Sequence, residues 1–192
     1  DFGTDVREIA VPASYNALFD DLFNFHGKVW YSKEVYIPIS FANKAVYLRF
    51  GSVAGKAKVW LNGYYLGGHI GTALPFEFEI SGVVKFGQKN KIVVLADSTL
   101  DPWSLPPAAM SETEGSVGFF NSYPAVPYDF FPYGGIQRSV LIYNCAKTHI
   151  DDITIKTEIN NVSAKVNFEV EFSAISKGLL IAKTDGKEIS IP

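Results

Sequence analysis

The feature that most constrains the fold of this sequence is a strict alternation of apolar and polar residues. Residues 165–172 read KVNFEVEF, and residues 46–50 and 153–157 alternate in the same way. Successive side chains of a β-strand point to opposite faces, so this two-residue period predicts antiparallel strands that bury one face. A helical period is held nowhere for three turns, and residues 15–25 are the only short helical candidate. We therefore expect a chain built almost wholly from strands.

Two apolar runs lack the alternation and predict a second kind of strand. Residues 91–96 and 139–143 are short, apolar and rich in β-branched side chains. Such runs are typical of strands that are buried on both faces. We therefore expect both of these strands to lie inside the fold.

Turn residues separate the predicted strands. Asn62 and Gly63 lie between two apolar runs. An Asn-Gly pair is a strong hairpin signal, because a type I′ turn needs a positive φ at both central positions. Asp185 and Gly186 form a second such turn pair near the end of the sequence. Many strands with regular turns and no crossover helices predict an all-β sandwich or jelly roll.

Composition and charge limit the partners that we expect. The 192 residues include 17 basic and 20 acidic side chains, for a net charge of -3, and no basic run stands out. This balance does not suggest nucleic acid or an anionic membrane as a partner. The apolar runs are far shorter than the ~20 residues of a membrane helix, and no signal peptide is visible. With Cys145 as the only cysteine, these features favour the cytoplasm.

The sequence contains no recognisable catalytic or metal-binding motif. No glycine-rich run opens a helix, and no Gly-x-Ser-x-Gly elbow is present. The three histidines, His26, His69 and His149, are too widely spaced to suggest a metal site. We therefore expect no metal, no cofactor and no catalytic residue in this chain.

One segment interrupts the rhythm of strands and turns. Residues 101–135 contain six of the ten prolines, many aromatic residues and no clear strand pattern. A loop of this length inside a compact domain is uncommon and is usually either functional or disordered. Because its aromatic residues argue against disorder, we predict an ordered loop that reaches a site or a partner.

Seven blocks of sequence, taken together, resemble one known family. In chain order they are residues 11–16 (VPASYN), 30–38 (WYSKEVYIP), 59–63 (VWLNG), 69–77 (HIGTALPFE), 105–107 (LPP), 128–140 (YDFFPYGGIQRSV) and 151–154 (DDIT). Their order and spacing resemble family 2 of the glycoside hydrolases, and residues 128–140 resemble its β-glucuronidase branch. Residues 71–73 and 97–98 depart from the family pattern.

The resemblance implies two all-β units that precede a catalytic barrel. Residues 1–148 would form a jelly-roll sandwich of the galactose-binding type, and residues 149–192 the first strands of a truncated immunoglobulin-like sandwich. In the family, a following (β/α)8 barrel hydrolyses glycosides with retention through two glutamates. The chain has neither the Asn-Glu pair nor the Thr-Glu-Tyr-Gly pattern of those glutamates, so we expect it to be inactive alone. The implied partners are a β-glucuronide or related carbohydrate, the remaining domains and, in the full-length protein, further copies in a homo-oligomer.

The resemblance carries one functional residue onto this chain, Asp129. In β-glucuronidases the matching aspartate reaches across to accept hydrogen bonds from hydroxyls of the sugar. Asp129 is also the only carboxylate between Gly115 and Ile136, and a carboxylate can accept several charge-assisted hydrogen bonds from vicinal hydroxyls. The alternatives are that Asp129 caps a turn before Gly134 or pairs with Arg138.

Three hypotheses of function follow. The leading one is the N-terminal, non-catalytic part of a β-glucuronidase, which supplies one sugar contact and braces the barrel. The second is a stand-alone carbohydrate-binding module, and the third is the same part of an enzyme for β-galactosides or galacturonides. An incomplete second sandwich favours the first hypothesis over the second, because a free module would not end partway through a domain.

Overall fold

The computed structural model describes residues 6–100, 103, 132–175, 177–184 and 187–191. The chain divides into two compact units, Asp1–Asn144 and Cys145–Pro192. Their assignment to a sugar-binding and an immunoglobulin-like domain, with a boundary after residue 148, stays a prediction. The predicted turn at Asp185 and Gly186 lies outside the described residues.

Apart from three short helical turns, the regular structure of the described residues is entirely β. The strands are β1 (Ala13–Ser14), β2 (Lys28–Ile37), β3 (Ala45–Phe50), β4 (Lys56–Leu61), β5 (Tyr64–Ile70), β6 (Phe76–Glu79), β7 (Gln88–Asp97), β8 (Gly135–Ile136), β9 (Val140–Cys145), β10 (Ile150–Asn160), β11 (Ser163–Phe172), β12 (Leu180–Thr184) and β13 (Lys187–Ile191). The helical turns are α1 (Tyr15–Leu18) and two 3₁₀ turns, Asp20–Leu22 and Ile39–Phe41. No helix among them is long and apolar enough to cross a bilayer.

The first unit is a sandwich of two sheets. One sheet has four strands in the order β2-β7-β4-β5, and the other has three in the order β6-β3-β9. Strands β1 and β8 form a separate two-stranded ladder, in which Ala13 pairs with Ile136. A single apolar core joins the two sheets, with contributions that include Leu48 of β3, Val59 of β4 and Val94 of β7. The predicted all-β sandwich is confirmed.

The hairpin predicted at Asn62 and Gly63 is confirmed. Both residues have positive φ, 52° and 88°, and they join β4 to β5. Asn62 also binds the neighbouring strand: its side-chain Nδ2 donates to Asn90 Oδ1 at 2.8 Å, and its Oδ1 accepts from the Lys91 backbone N–H at 3.0 Å. Asn62 therefore also holds β7 against the hairpin through these two hydrogen bonds.

The prediction that residues 91–96 and 139–143 are buried on both faces is wrong. On β7, Ile92 and Val94 are buried in the core, whereas Val93 and Leu95 are only half-buried on the opposite face. On β9, Leu141 is 53% exposed, because it lies on the outer face, whereas Val140 and Ile142 on the other face pack against the core. Both strands alternate after all, and hydrophobic residues on their outer faces hide the period.

The second unit consists of two hairpins. In β10–β11 the cross-strand pairs on one face include Ile153 with Val170 and Ile155 with Phe168. The other face pairs charged and polar residues, such as Glu158 with Lys165. The alternation in residues 153–157 and 165–172 therefore corresponds to paired strands, as predicted. Strands β12 and β13 form the second hairpin.

Candidate functional site

Asp129, the one predicted site residue, lies outside the described residues, as do most of the predicted loop at 101–135 and the block at 105–107. The structure does describe the two flanks of this segment. Strand β7 ends just before Ser98 on one side, and Gly134 precedes β8 on the other. Four buried residues, Tyr15, Asn16, Ser98 and Gly134, connect these flanks, and we call them the flank clamp.

Tyr15 holds the first flank. Helix α1 begins at Tyr15 because the Ser14 hydroxyl accepts the Asn16 backbone N–H at 3.2 Å and so caps the turn. The Tyr15 hydroxyl forms a 2.5 Å hydrogen bond with Ser98 Oγ. Tyr15 and Ser98 are 1% and 5% exposed. This burial raises the pKa of Tyr15 above its ordinary value, so the hydroxyl stays neutral.

Ser98 is fixed from a second direction by Gly27. The Ser98 backbone N–H donates to Gly27 O at 2.9 Å, and the Gly27 N–H donates to Ser98 Oγ at 3.1 Å. The end of β7 therefore has hydrogen bonds both to the start of β2 and to α1. These buried bonds leave the first flank little freedom to shift.

Asn16 holds the second flank. Its Oδ1 accepts the Gly134 backbone N–H at 2.7 Å. Its Nδ2 donates to the backbone oxygens of Leu22 at 2.7 Å and Phe25 at 2.9 Å, and to that of Phe23 at a longer 3.2 Å. Asn16 is 2% exposed, and both polar atoms of its amide are hydrogen-bonded. Asn16 therefore joins Gly134 to the turn after α1.

Positions 134 and 135 must be glycine because the backbone there passes close to the side chains of Tyr15 and Tyr31. A Cβ on Gly134 would lie 1.9 Å from Tyr15 Oη and 2.3 Å from Tyr15 Cζ, closer than any real contact. Gly135 has φ 114°, and a Cβ there would lie 2.8 Å from Ala13 O and 3.0 Å from Tyr31 Oη. The second flank therefore passes directly over two tyrosine hydroxyls, and only glycine allows this path.

Three further buried polar atoms lie in the same unit, Tyr31 Oη, His26 Nδ1 and His69 Nε2. His26 Nδ1 and His69 Nε2 are shielded from solvent and have no hydrogen-bond partner among the described residues, and the buried Tyr31 Oη lies beside the backbone of Ile136. Burial raises the pKa of Tyr31 to about 12 and lowers the pKa of His26. Both groups are therefore held in their neutral forms near neutral pH.

The flank clamp was missed by local sequence reasoning. Tyr15 and Asn16 belong to the quoted block at 11–16, and Gly134 to the block at 128–140, but no role followed from their spacing. Ser98 belongs to residues 97–98, which depart from the family pattern, so the resemblance assigned it no role. The signal in the sequence was the presence of both blocks, 11–16 and 128–140, because Asn16 of the first binds Gly134 of the second.

Arg138 and His69 each contact another residue of the first unit. Arg138 Nη1 donates to Ala73 O at 3.3 Å, so this guanidinium has a local backbone partner. His69 stacks on Phe76, with ring centroids 4.4 Å apart. No group of three His, Cys, Asp or Glu side chains that could hold a metal occurs among the described residues.

Shallow grooves open on the first unit, and two of them lie beside charged residues. The larger, of about 450 Å³, lies on the four-stranded sheet and is lined by residues that include Lys28, Lys58 and Asp97. The smaller, of about 410 Å³, is lined in part by Arg49 and Arg138. Arg49 is already paired with Glu77, at 2.8 Å.

Comparisons with known proteins agree with one another. The family model described as "Glycosyl hydrolases family 2, sugar binding domain" matches residues 5–146. Beta-glucuronidase of Homo sapiens is 37% identical over 177 residues, covering 85% of this chain and 27% of that protein. Beta-glucuronidase of Paenibacillus borealis is 34% identical over 173 residues, covering 88% and 29%. The chain thus spans under a third of the length of these relatives.

Solved structures give the same result. The beta-D-glucuronidase of Dictyoglomus thermophilum is 33% identical with a TM-score of 0.77, covering 99% of this chain and 34% of that one. The β-glucuronidase of Ruminococcus gnavus in complex with D-glucaro-δ-lactam is 30% identical with a TM-score of 0.78, covering 98% and 33%. Sequence and fold therefore point to one family.

Proposed function

Since this chain belongs to family 2 of the glycosyl hydrolases and carries that family's sugar binding domain, we propose that it is the N-terminal part of a β-glucuronidase. The proposed enzyme hydrolyses β-glucuronides with retention of configuration. Support comes from relatives named β-glucuronidase that match most of this chain, while the chain spans 27% of the human protein. The proposed protein partners are the remaining domains and, in the full-length enzyme, identical subunits in the cytoplasm.

The proposed contribution of this part is one direct sugar contact, from Asp129. The observation that carries the proposal is the flank clamp, which holds Ser98 and Gly134 on either side of the segment that contains Asp129. Asp129 is five residues before Gly134 in the sequence. A carboxylate whose chain is fixed close by loses less entropy when it binds hydroxyls, so its hydrogen bonds contribute more to affinity.

Catalysis itself belongs to the remaining domains in this proposal. Retaining hydrolysis needs two carboxyl groups on either side of the scissile bond. The sequence lacks the Asn-Glu pair and the Thr-Glu-Tyr-Gly pattern that carry them in the family. The 192 residues would therefore bind and position substrate without cleaving it.

The test compares this chain with its full-length parent on an aryl β-glucuronide and on the matching aryl β-galactoside. We expect cleavage of the glucuronide by the parent alone. Preference of the parent for the galactoside would move the proposal to another substrate in the same family. Turnover by the 192 residues alone would contradict the assignment of catalysis to the remaining domains. Inactivity of the parent on both substrates would leave the binding-module hypothesis in place of this proposal.

A further inference from the structure

The hairpin turn at Asn62 and Gly63 places a reactive dipeptide at an open position. Asn62 is the only asparagine in the sequence that is followed by glycine. In such a pair the glycine nitrogen can attack the amide carbon of the asparagine side chain, because glycine has no Cβ to obstruct the approach. Gly63 is exposed, and a Cβ on it would meet nothing within 4 Å. Among the described residues, the Gly63 N–H has no hydrogen-bond partner, so the attacking atom is free.

The Asn62 side chain, by contrast, is held at both of its polar atoms. Its Nδ2 donates to Val83 O at 3.0 Å and to Asn90 Oδ1 at 2.8 Å. Its Oδ1 accepts the Lys91 backbone N–H at 3.0 Å. These partners fix which amide atom is which, because a backbone N–H can only donate and a backbone oxygen can only accept. Three hydrogen bonds therefore hold the carbon that the Gly63 nitrogen would attack.

Asn90, one of these partners, is itself fixed in a single orientation. It is 1% exposed. Its Oδ1 also accepts the Lys85 backbone N–H at 2.7 Å, and its Nδ2 donates to Lys85 O at 2.8 Å and to Gln88 O at 3.0 Å. The Asn90 amide cannot turn its nitrogen toward Asn62 without losing these buried bonds. The Asn90 atom that faces Asn62 therefore remains an acceptor.

We propose that Asn62 is a deamidation site that the native hairpin protects and that unfolding exposes. In the reaction the Gly63 nitrogen loses its proton and bonds to Asn62 Cγ, and the amide nitrogen takes up a proton and leaves as ammonia. Water then opens the cyclic imide, giving aspartate by attack at Cγ or isoaspartate by attack at the backbone carbonyl carbon. The attacked Cγ becomes tetrahedral, so Oδ1 and Nδ2 must leave the positions in which they are bonded. All three hydrogen bonds therefore have to open before the ring can close.

Neither product fits the native hairpin. In aspartate an oxygen takes the place of Nδ2 and faces two acceptors, Val83 O and Asn90 Oδ1. A half-buried carboxylate in this position loses both hydrogen bonds and is repelled by both oxygens. In isoaspartate the main chain runs through Cγ and gains a carbon, which does not fit the two-residue turn between Leu61 and Tyr64. Deamidation therefore makes an unfolding event permanent, because the hairpin cannot re-form its bonds to β7.

Mass spectrometry after trypsin digestion measures the reaction in the 192-residue chain. The peptide from Val59 to Lys85 contains Asn62 as its only side-chain amide. The mass gain of an amide-to-acid conversion in this peptide therefore reports on Asn62 alone. The chain is incubated at mildly alkaline pH in native buffer and, in parallel, in guanidinium chloride. We expect the native rate to be lower by at least about a hundredfold, because each of the three hydrogen bonds contributes a factor of about five.

Asn43 provides a control within the same chain. It is exposed and also has a positive φ, 64°, but a lysine follows it. The tryptic peptide 34–44 contains Asn43 as its only side-chain amide. In guanidinium chloride this peptide should gain little mass during the time in which most of Asn62 is converted, because the Lys44 side chain obstructs the attack. Equal conversion of Asn43 and Asn62 would contradict selection of the site by its glycine.

Two variants test the role of the hydrogen bonds. Asn90→Ala removes one of the three bonds of Asn62, so deamidation of the folded variant should be about fivefold faster, with an unchanged rate in guanidinium chloride. Asn62→Asp imitates one product and should lower the guanidinium midpoint of the first unit, followed by tryptophan fluorescence. Asn43→Asp is its matched control on an exposed turn and should leave the midpoint in place. The measurement on Asn62→Asp does not depend on whether Asn90→Ala folds.

Four results would each overturn the proposal. Two of them are equal rates of deamidation in native buffer and guanidinium chloride, and no conversion of Asn62 in guanidinium chloride. The others are an unchanged native rate in folded Asn90→Ala, and an unfolding midpoint of Asn62→Asp equal to that of the unmodified chain. The proposal goes beyond the proposed function, since it involves neither Asp129 nor the flank clamp. Because the assays read mass and unfolding, their failure is separate from any failure of the proposed β-glucuronidase activity.

Discussion

Replacing Gly134 by alanine should unfold the first unit more readily than any comparable change on its surface. The new Cβ would lie 1.9 Å from Tyr15 Oη and 2.3 Å from Cζ, so the ring must move. That movement breaks the buried bond between Tyr15 and Ser98 and displaces the Gly134 N–H from Asn16. Overpacking costs about 1–3 kcal/mol and a buried polar group without its partner costs about 1–3 kcal/mol. We therefore expect a loss of about 2–5 kcal/mol in the free energy of unfolding.

Tryptophan fluorescence in a guanidinium titration measures this loss cleanly. All three tryptophans, Trp30, Trp60 and Trp103, lie within the first unit, so the signal reports on that unit alone. Gly82→Ala is the matched control, because a Cβ on Gly82 would meet nothing within 4 Å. That variant should stay within about 0.5 kcal/mol of the unmodified chain.

A second variant separates the steric clash from other causes. In a Tyr15→Phe background the hydroxyl oxygen nearest to the new Cβ is absent, so the added cost of Gly134→Ala should be smaller by about 1 kcal/mol. Tyr15→Phe alone should cost about 1 kcal/mol, because it removes the bond to Ser98. A loss below about 1 kcal/mol for Gly134→Ala, or strict additivity of the two changes, would refute the reasoning about close approach.

Three further predictions concern substrate binding, an apolar surface and alkaline stability. In the full-length enzyme, Asp129→Ala should lower kcat/KM on an aryl β-glucuronide by about ten- to several-hundred-fold, and unchanged kinetics would defeat the contact role. In the second unit, Ile155 is 64% exposed on the apolar face of the β10–β11 hairpin. Ile155→Lys should reduce binding of an apolar fluorescent dye, and Thr154→Lys, on the polar face, should not. Burial raises the pKa of Tyr31 from 10.0 to about 12, so on unfolding the phenol loses its proton more easily. The free energy of unfolding should hold steady up to about pH 10 and fall as pH approaches 12. Tyr31→Phe should flatten that decline in urea titrations, whereas the same change at the exposed Tyr36 should leave it in place.

Local pattern was enough to predict most strands and the main hairpin. Residues 153–157 and 165–172 alternate because one face of β10–β11 is apolar, and Asn62 and Gly63 have the positive φ that their identities suggest. Such features depend on neighbours one or two positions away, which a sequence displays directly. The error at Leu141 has a related cause, because an apolar residue on the outer face of a strand looks in the sequence like a core residue.

The flank clamp depends on partners that are remote in the chain. Tyr15 and Ser98 are 83 residues apart, and Asn16 and Gly134 are 118 residues apart. No periodicity relates such positions, so Tyr15 and Asn16 indicated only a short helical turn. The family resemblance identified the blocks 11–16 and 128–140 but did not show that they are in contact. Local pattern also could not show that Trp30, Trp60 and Tyr65 meet, since they do so only once β7 has been placed between β2 and β4.

The flank clamp also links the stability of the first unit to the proposed sugar contact. Tyr15 and Asn16 are at most 2% exposed, so they cannot shift without disturbing the core that surrounds them. If the Asp129 contact depends on the two fixed flanks, Gly134→Ala in the full-length enzyme should lower the unfolding midpoint and kcat/KM together. Asp129→Ala should lower kcat/KM alone, because it removes the hydrogen-bond acceptor and leaves the clamp intact. Full activity in a destabilised Gly134→Ala enzyme, assayed well below its unfolding midpoint, would show that the clamp serves stability alone.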